Sequence, residues 1–116
     1  MAQQWLERMD TVFLRVHDFE RACAWYHETL GMPVIWRTDM IAAFRAGDKT
    51  PLTLVKHDAV ADTHPLFNFY TANIEQAYTY MKEQGIEVGV LRDYGTVQTF
   101  DFTDSEGNRL SVCHYD

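Results

Sequence analysis

The stretch Asp18-Phe19-Glu20-Arg21-Ala22-Cys23-Ala24-Trp25-Tyr26-His27-Glu28-Thr29-Leu30-Gly31-Met32-Pro33-Val34 decides the fold, because the chain carries it twice. Its second copy is Asn73-Ile74-Glu75-Gln76-Ala77-Tyr78-Thr79-Tyr80-Met81-Lys82-Glu83-Gln84-Gly85-Ile86-Glu87-Val88, with one residue deleted before the glycine. Glu20/Glu75, Ala22/Ala77, Glu28/Glu83, Gly31/Gly85 and Val34/Val88 coincide. Each copy reads as a helix. Asp18 and Asn73 are good N-caps, and Gln76 stands at capping-box spacing from Asn73. Phe19, Ala22, Cys23, Tyr26 and Leu30 fall on one face at a period of 3.6, as do Ile74, Ala77, Tyr78 and Met81. Gly31 and Gly85 stand where a left-handed residue ends a helix.

Working outward, each helix is preceded by an alternating run. Val12, Leu14 and Val16 oppose Thr11, Phe13 and Arg15, and Phe67, Phe69 and Thr71 oppose Leu66, Asn68 and Tyr70. Three short strands are predicted after each helix: Pro33–Arg37, Ile41–Ala46 and Leu52–Lys56, then Glu87–Leu91, Val97–Thr103 and Arg109–His114. The segments 47–51 and 104–108 are turns by composition. The order β-α-β-β-β therefore occurs twice in an α+β single domain, 1–116. Module 1 spans about 9–56, a polar linker 57–64, and module 2 about 65–114.

A chain of 116 residues has room for one domain, and its 47% hydrophobic and 23% charged residues describe an ordinary globular protein. The net charge of −7 argues against nucleic acid as a partner and is compatible with a cationic ligand. No apolar run reaches the roughly 18–20 residues of a membrane span, so no membrane partner is expected. The start has neither a basic nor an apolar leader region, and a cytoplasmic location is expected. Cys23 and Cys113 form no CxxC and read as reduced, partly buried thiols.

The repeated pattern resembles the vicinal oxygen chelate superfamily, which holds glyoxalase I, extradiol dioxygenases, fosfomycin-resistance enzymes and bleomycin-resistance proteins. The residues that carry the resemblance are Phe13-Leu14-Arg15-Val16-His17-Asp18, Trp25-Tyr26 and Leu30-Gly31-Met32 in the first half. In the second they are Asn73-Ile74-Glu75-Gln76-Ala77, Gly85-Ile86-Glu87-Val88 and Asp101-Phe102-Thr103-Asp104-Ser105-Glu106-Gly107-Asn108-Arg109-Leu110. The last run is similar to the family's Asp-Pro-Asp-Gly-Asn-Arg signature, with Ser105 and Glu106 in the second and third positions. The resemblance implies two modules forming a half-open barrel (the glyoxalase/bleomycin-resistance/dioxygenase fold) and a homodimer.

Enzymes of that family hold a divalent cation with His, Gln or Glu from the first and last strand of each module. The resemblance places these four positions on Thr11, Thr53, Leu66 and Ser111. Neutral hydroxyls are poor ligands for such an ion and leucine is none. No metal site and no cofactor are therefore expected. None of His17, His27, His57, His64 and His114 has metal-motif spacing, with His64 and His114 the pair nearest to strands whose ligand is missing.

Alternation predicts that the cavity is lined by Phe13, Arg15, Asn68, Tyr70, Arg109, Ser111 and Cys113, with Trp36 and either Phe100 or Phe102 as further aromatic walls. Such a lining suits a small organic ligand, cationic or aromatic. Arg15 or Arg109 could instead take a carboxylate. Nucleophilic catalysis is weakly supported, since Cys113 and His114 are adjacent but point to opposite faces. The expected function is metal-free binding and sequestration of a small molecule, as the resemblance to bleomycin-resistance proteins implies, with Phe13, Arg15, Trp36, Asn68, Tyr70, Arg109 and Ser111 as ligand contacts. The alternative is a metal-dependent glyoxalase- or dioxygenase-like enzyme, a lyase or oxidoreductase, with a displaced metal site. A regulatory or dimerisation domain with a filled core is a third possibility.

Overall fold

Asp18 and Asn73 act as the helix caps that their positions predict. In the computed structural model, which describes residues 4–59 and 64–116, the Asp18 carboxylate accepts the Arg21 amide at 3.2 Å and the Asn73 carbonyl accepts the Gln76 amide at 3.1 Å. The two residues open α1 (Phe19–Ala24) and α2 (Ile74–Glu83). Gly31 and Gly85 adopt φ of 72° and 78°, the left-handed conformation that stops each helical segment.

The strands are β1 (Arg8–Val16), β2 (Val34–Arg37), β3 (Ile41–Phe44), β4 (Leu52–Lys56), β5 (Phe67–Tyr70), β6 (Arg92–Asp93), β7 (Gln98–Thr103) and β8 (Arg109–His114). The chain divides into two units, Thr11–His64 and Pro65–Asp116, the second also including the described residues ahead of Thr11. In the first, the strand order is β2-β3-β4-β1, with β1 and β4 parallel. In the second it is β5-β8-β7-β6, with β5 and β8 parallel. Each unit is thus a β-α-β-β-β module. Of the connecting segment, His57–Ala59 form a 3₁₀ turn, while residues 60–63 lie outside the described residues, as do residues 1–3 of the start.

Each module buries one sheet face against its helix. Phe19, Cys23, Ala42, Phe44 and Leu54 form the first core, and Ile74, Met81, Phe100, Phe102 and Val112 the second. Both thiols are free and buried.

Two elements depart from the expected pattern. After Ala24 the first helix widens into a π-helical turn, Trp25–Thr29, which adds a residue to the turn and shifts the phase of the residues after it. Tyr26 still packs on the core, but Leu30 swings off it and is 48% exposed. The expected strand Glu87–Leu91 is reduced to a single bridge, Val88 with Phe102. Regular pairing resumes one residue out of register at Arg92–Thr99, so the intervening chain bulges and the strand proper is Arg92–Asp93.

The turn 104–108 is closed by Asp104, whose carboxylate accepts the Glu106 and Asn108 amides at 2.8 Å each and the Asn108 side-chain amide at 2.9 Å. The Asn108 side chain, then the backbone amides, hold this carboxyl below its ordinary 3.8.

Candidate functional site

Phe13, Arg15 and Trp36 belong to the Thr11–His64 unit, and strand register decides their facing. Phe13 lies opposite Thr53, Thr53 opposite Ala43, and Ala43 opposite Trp36, while Arg15 lies opposite Val55. Directly opposed residues share a sheet face, so all three candidates project from the face away from α1. Trp36 is 47% exposed. The Phe13 ring meets the edge of His64 at 4.8 Å, and Arg15 Nη2 donates to the His57 carbonyl at 3.0 Å. The His57 ring in turn stacks on His17 at 4.0 Å.

On the same sheet face stand two of the positions that the resemblance assigns to cation ligands. Thr11 and Thr53 are buried, at 5% and 2% exposure. Their hydroxyl oxygens are 2.7 Å apart, and Thr11 donates to the Pro51 carbonyl at 2.9 Å. A threonine hydroxyl has one proton, so Thr53 must donate to Thr11. The pair is a short hydrogen-bonded chain between neutral groups. In the second unit Ser111 Oγ donates to the Phe100 carbonyl at 3.3 Å, and Leu66 is 71% exposed and supplies no donor atom. These residues do not fit the divalent ion that the resemblance implies. Among the described residues no group of three or more His, Cys, Asp or Glu side chains stands at metal-binding distance.

The threonine chain has a measurable consequence. Thr11→Val should cost about 1–3 kcal/mol, because it strands the Thr53 donor and removes a donor from the Pro51 carbonyl. Adding Thr53→Val should cost little more, since no buried hydroxyl then lacks a partner. A double-mutant cycle by urea unfolding reads that coupling, and strictly additive costs would refute it.

Asn68, Tyr70, Arg109 and Ser111 belong to the second unit. Asn68 opposes Ser111, Tyr70 opposes Cys113, and Thr103 opposes Arg109. All four candidates share the face away from α2. Phe100 and Phe102 do not join them. They alternate to the α2 side, where Phe100 packs its edge on Tyr78 at 5.0 Å, and both are core. The second face is consequently polar rather than aromatic. Arg109 Nη1 lies 3.6 Å from Asp101 Oδ2 and borders a hollow of about 180 Å³ shared with Glu87, Gly89 and Thr103. That volume is below the roughly 300 Å³ at which small-molecule pockets begin.

Tyr70 is the one aromatic candidate on this face, and its ring is already engaged. The Arg8 guanidinium carbon lies 4.0 Å above the ring centroid, the Tyr115 ring meets it at 5.0 Å and 66°, and its hydroxyl donates to the Tyr115 carbonyl at 2.9 Å. Tyr115 donates from its own hydroxyl to Asp10 Oδ1 at 2.5 Å and accepts from Arg8 Nη2 at 3.0 Å. Arg8, Asp10 and Tyr115 are absent from the sequence-derived set. Tyr115 has the parity of Ser111 and Cys113 and was accessible to the same alternation. Arg8 and Asp10 arrive from the other end of the chain, and no local spacing announces them.

Cys113 sits beside this cluster, 2% exposed, and burial, with a further contribution from the Asp10 carboxylate, pushes its thiol up to about 12. It is not a nucleophile at neutral pH. His114 leaves the opposite side of the strand, with Nδ1 donating to the Thr71 carbonyl at 2.8 Å, and its ring lies 5.8 Å from that of Tyr70.

The profile of the Glyoxalase/Bleomycin resistance protein/Dioxygenase superfamily matches residues 8–112, which takes in both modules. The chain belongs to that superfamily. Solved structures with the same fold include methylmalonyl-CoA epimerase from Mycobacterium tuberculosis, with a TM-score of 0.82 at 14% identity over 100% of this chain and 93% of that one. A variant methylmalonyl-CoA epimerase from Streptomyces coelicolor, in complex with 2-nitronate-propionyl-CoA, aligns with a TM-score of 0.78 at 17% identity over 95% and 98% of the two chains. A Legionella pneumophila structure described as an NAD-dependent benzaldehyde dehydrogenase aligns at 0.70 and 15% identity over 91% and 98%. At such identities the likeness is one of fold. No curated protein matches by sequence. No helix among the described residues of this superfamily member is long and apolar enough to cross a membrane.

Proposed function

We propose that this member of the glyoxalase/bleomycin-resistance superfamily binds a small organic ligand without a metal ion. The observation that carries the proposal is the buried Thr11–Thr53 hydroxyl pair at a corner where a cation-holding relative needs imidazole or carboxylate. Above that pair, half-exposed Trp36, with Phe13 and Arg15, offers an aromatic surface and a donor. Asn68, Tyr70, Arg109 and Ser111 supply the polar contacts of the second unit. The working form is a homodimer in the cytoplasm. Exposed Val34, Ile35 and Trp36 on β2, the outer strand of its sheet, support self-association.

The test begins with metal analysis of the purified protein and melting scans with Ni²⁺, Zn²⁺, Mn²⁺ and Fe²⁺. We expect no stoichiometric metal and no stabilisation, because a ligand bound only by the folded state must raise the melting temperature. Tryptophan fluorescence is then followed with aromatic cations, and with propionyl-CoA in view of the epimerase neighbours. Quenching that Trp36→Leu removes is the expected outcome, with light scattering at twice 13.5 kDa. A bound stoichiometric metal would establish the enzyme alternative instead.

A further inference from the structure

The cluster around Tyr70 has the composition of a cation-binding cage. Two aromatic rings, Tyr70 and Tyr115, stand edge to face at 5.0 Å, and the Asp10 carboxylate closes one side through the Tyr115 hydroxyl. Ring faces attract a cation through their quadrupole, and a carboxylate adds direct charge. A cation is in place: the guanidinium of Arg8, 4.0 Å over Tyr70 and 3.0 Å from the Tyr115 hydroxyl. We propose that Tyr70, Tyr115 and Asp10 form a site for a planar guanidinium or amidinium ligand, and that Arg8 is an intrachain occupant which such a ligand displaces.

Three observations separate this from an ordinary structural ion pair. First, Arg8 makes only a long ion pair with the carboxylate. Its nearest approach to Asp10 Oδ1 is 4.0 Å, and its side chain is 50% exposed against 18% for Asp10. The carboxylate is the buried member of the pair and the guanidinium the accessible one. Second, Arg8 is the first residue of β1, so its side chain can leave by rotation alone while the strand stays paired. Third, the cage walls are fixed independently of Arg8. The Tyr70 hydroxyl bonds the Tyr115 carbonyl, and the Tyr115 hydroxyl bonds Asp10. Burial, then the Asp10 bond, also pushes the Tyr115 phenol up to about 12, so the cage keeps its hydroxyl donor through the physiological range. An incoming amidinium could donate two parallel bonds to the carboxylate, a geometry Arg8 does not reach. This inference rests on the small-molecule-binding reading and narrows its ligand class.

The probe is benzamidine, titrated into the full-length wild type, Arg8→Ala and Arg8→Gln, with binding read by calorimetry and by the ring-proton shifts of Tyr70 and Tyr115. Arg8→Gln keeps the side-chain stem and removes the charge, so it stands in if the alanine variant folds poorly. Both variants should bind benzamidine about tenfold more tightly than the wild type, the scale of one desolvated cation–ring contact. Both tyrosine rings should shift, and Asp10→Asn in the Arg8→Gln background should abolish the gain. Equal affinity in all three proteins would overturn the proposal, as would a gain that leaves the tyrosine rings unmoved. Quenching at Trp36 with no effect of Arg8 would refute the cage alone. A gain on removing Arg8 with Trp36 silent to every compound would support the cage and refute the Trp36 surface.

Discussion

Phe100→Ala should lower stability by about 3–5 kcal/mol, the usual cost of emptying a fully buried aromatic position. Phe100 is 1% exposed, packs on Tyr78 and sits with Ile74, Met81, Phe102 and Val112 under α2. For a chain of this length the loss corresponds to a melting-point drop on the order of 10–20 °C. Ligand binding per folded molecule should be unchanged, because the ring lies on the opposite side of β7 from Arg109 and Ser111. A variant with near-native melting but lost binding would return Phe100 to the ligand face and reverse the facing assigned to β7 and β8. Thermal unfolding followed by circular dichroism, beside a fluorescence titration, measures both.

The second large effect is alkaline. The Cys113 thiol is pushed from an ordinary 9.0 up to about 12, chiefly by burial. A group whose folded-state value is raised adds stability that is complete below its unfolded value and is lost as the pH climbs to the folded one. Above pH 9 the unfolded chain releases this proton and the folded chain does not. Stability should therefore fall between about pH 9 and pH 12. For Cys113 alone the loss is at most about 4 kcal/mol, at roughly 1.4 kcal/mol per pH unit. Tyr115, raised from 10.0 to about 12 by burial and by Asp10, deepens the same limb from pH 10 upward. Urea unfolding from pH 7 to 11.5 on the wild type and Cys113→Ala isolates the thiol, since every other side chain is common to the two proteins. The variant should lose stability more gently above pH 9. Parallel curves would show that the thiol is not confined as the structure places it.

The resemblance between the halves and the alternation around them made the module order and most strands legible. β4 and β8 fall on their expected residues, because each is a short run rich in β-branched and apolar residues that follows a turn, and each buries three consecutive residues at its centre. The failures have local causes. The π-helical turn at Trp25–Thr29 satisfies its backbone with wider bonds, so a strict 3.6 period overruns it and misplaces Leu30. The bulge after Val88 changes parity, which a period of two cannot register.

At the candidate site, the sequence alone showed the donor chemistry of Thr11, Thr53, Leu66 and Ser111, the four positions that the resemblance assigns to cation ligands, because a threonine, a serine or a leucine has the same donor chemistry wherever it folds. It also established the parity that sends Phe13 with Arg15 and Asn68 with Tyr70. Tertiary structure decided what each of these touches. It paired the Thr11 and Thr53 hydroxyls, moved Phe100 and Phe102 into the core, and brought Arg8 and Asp10 from one end of the chain onto Tyr115 at the other. Periodicity reports which way a side chain leaves its own strand. The partner it meets there comes from a distant stretch of chain, set by strand pairing that no local spacing encodes.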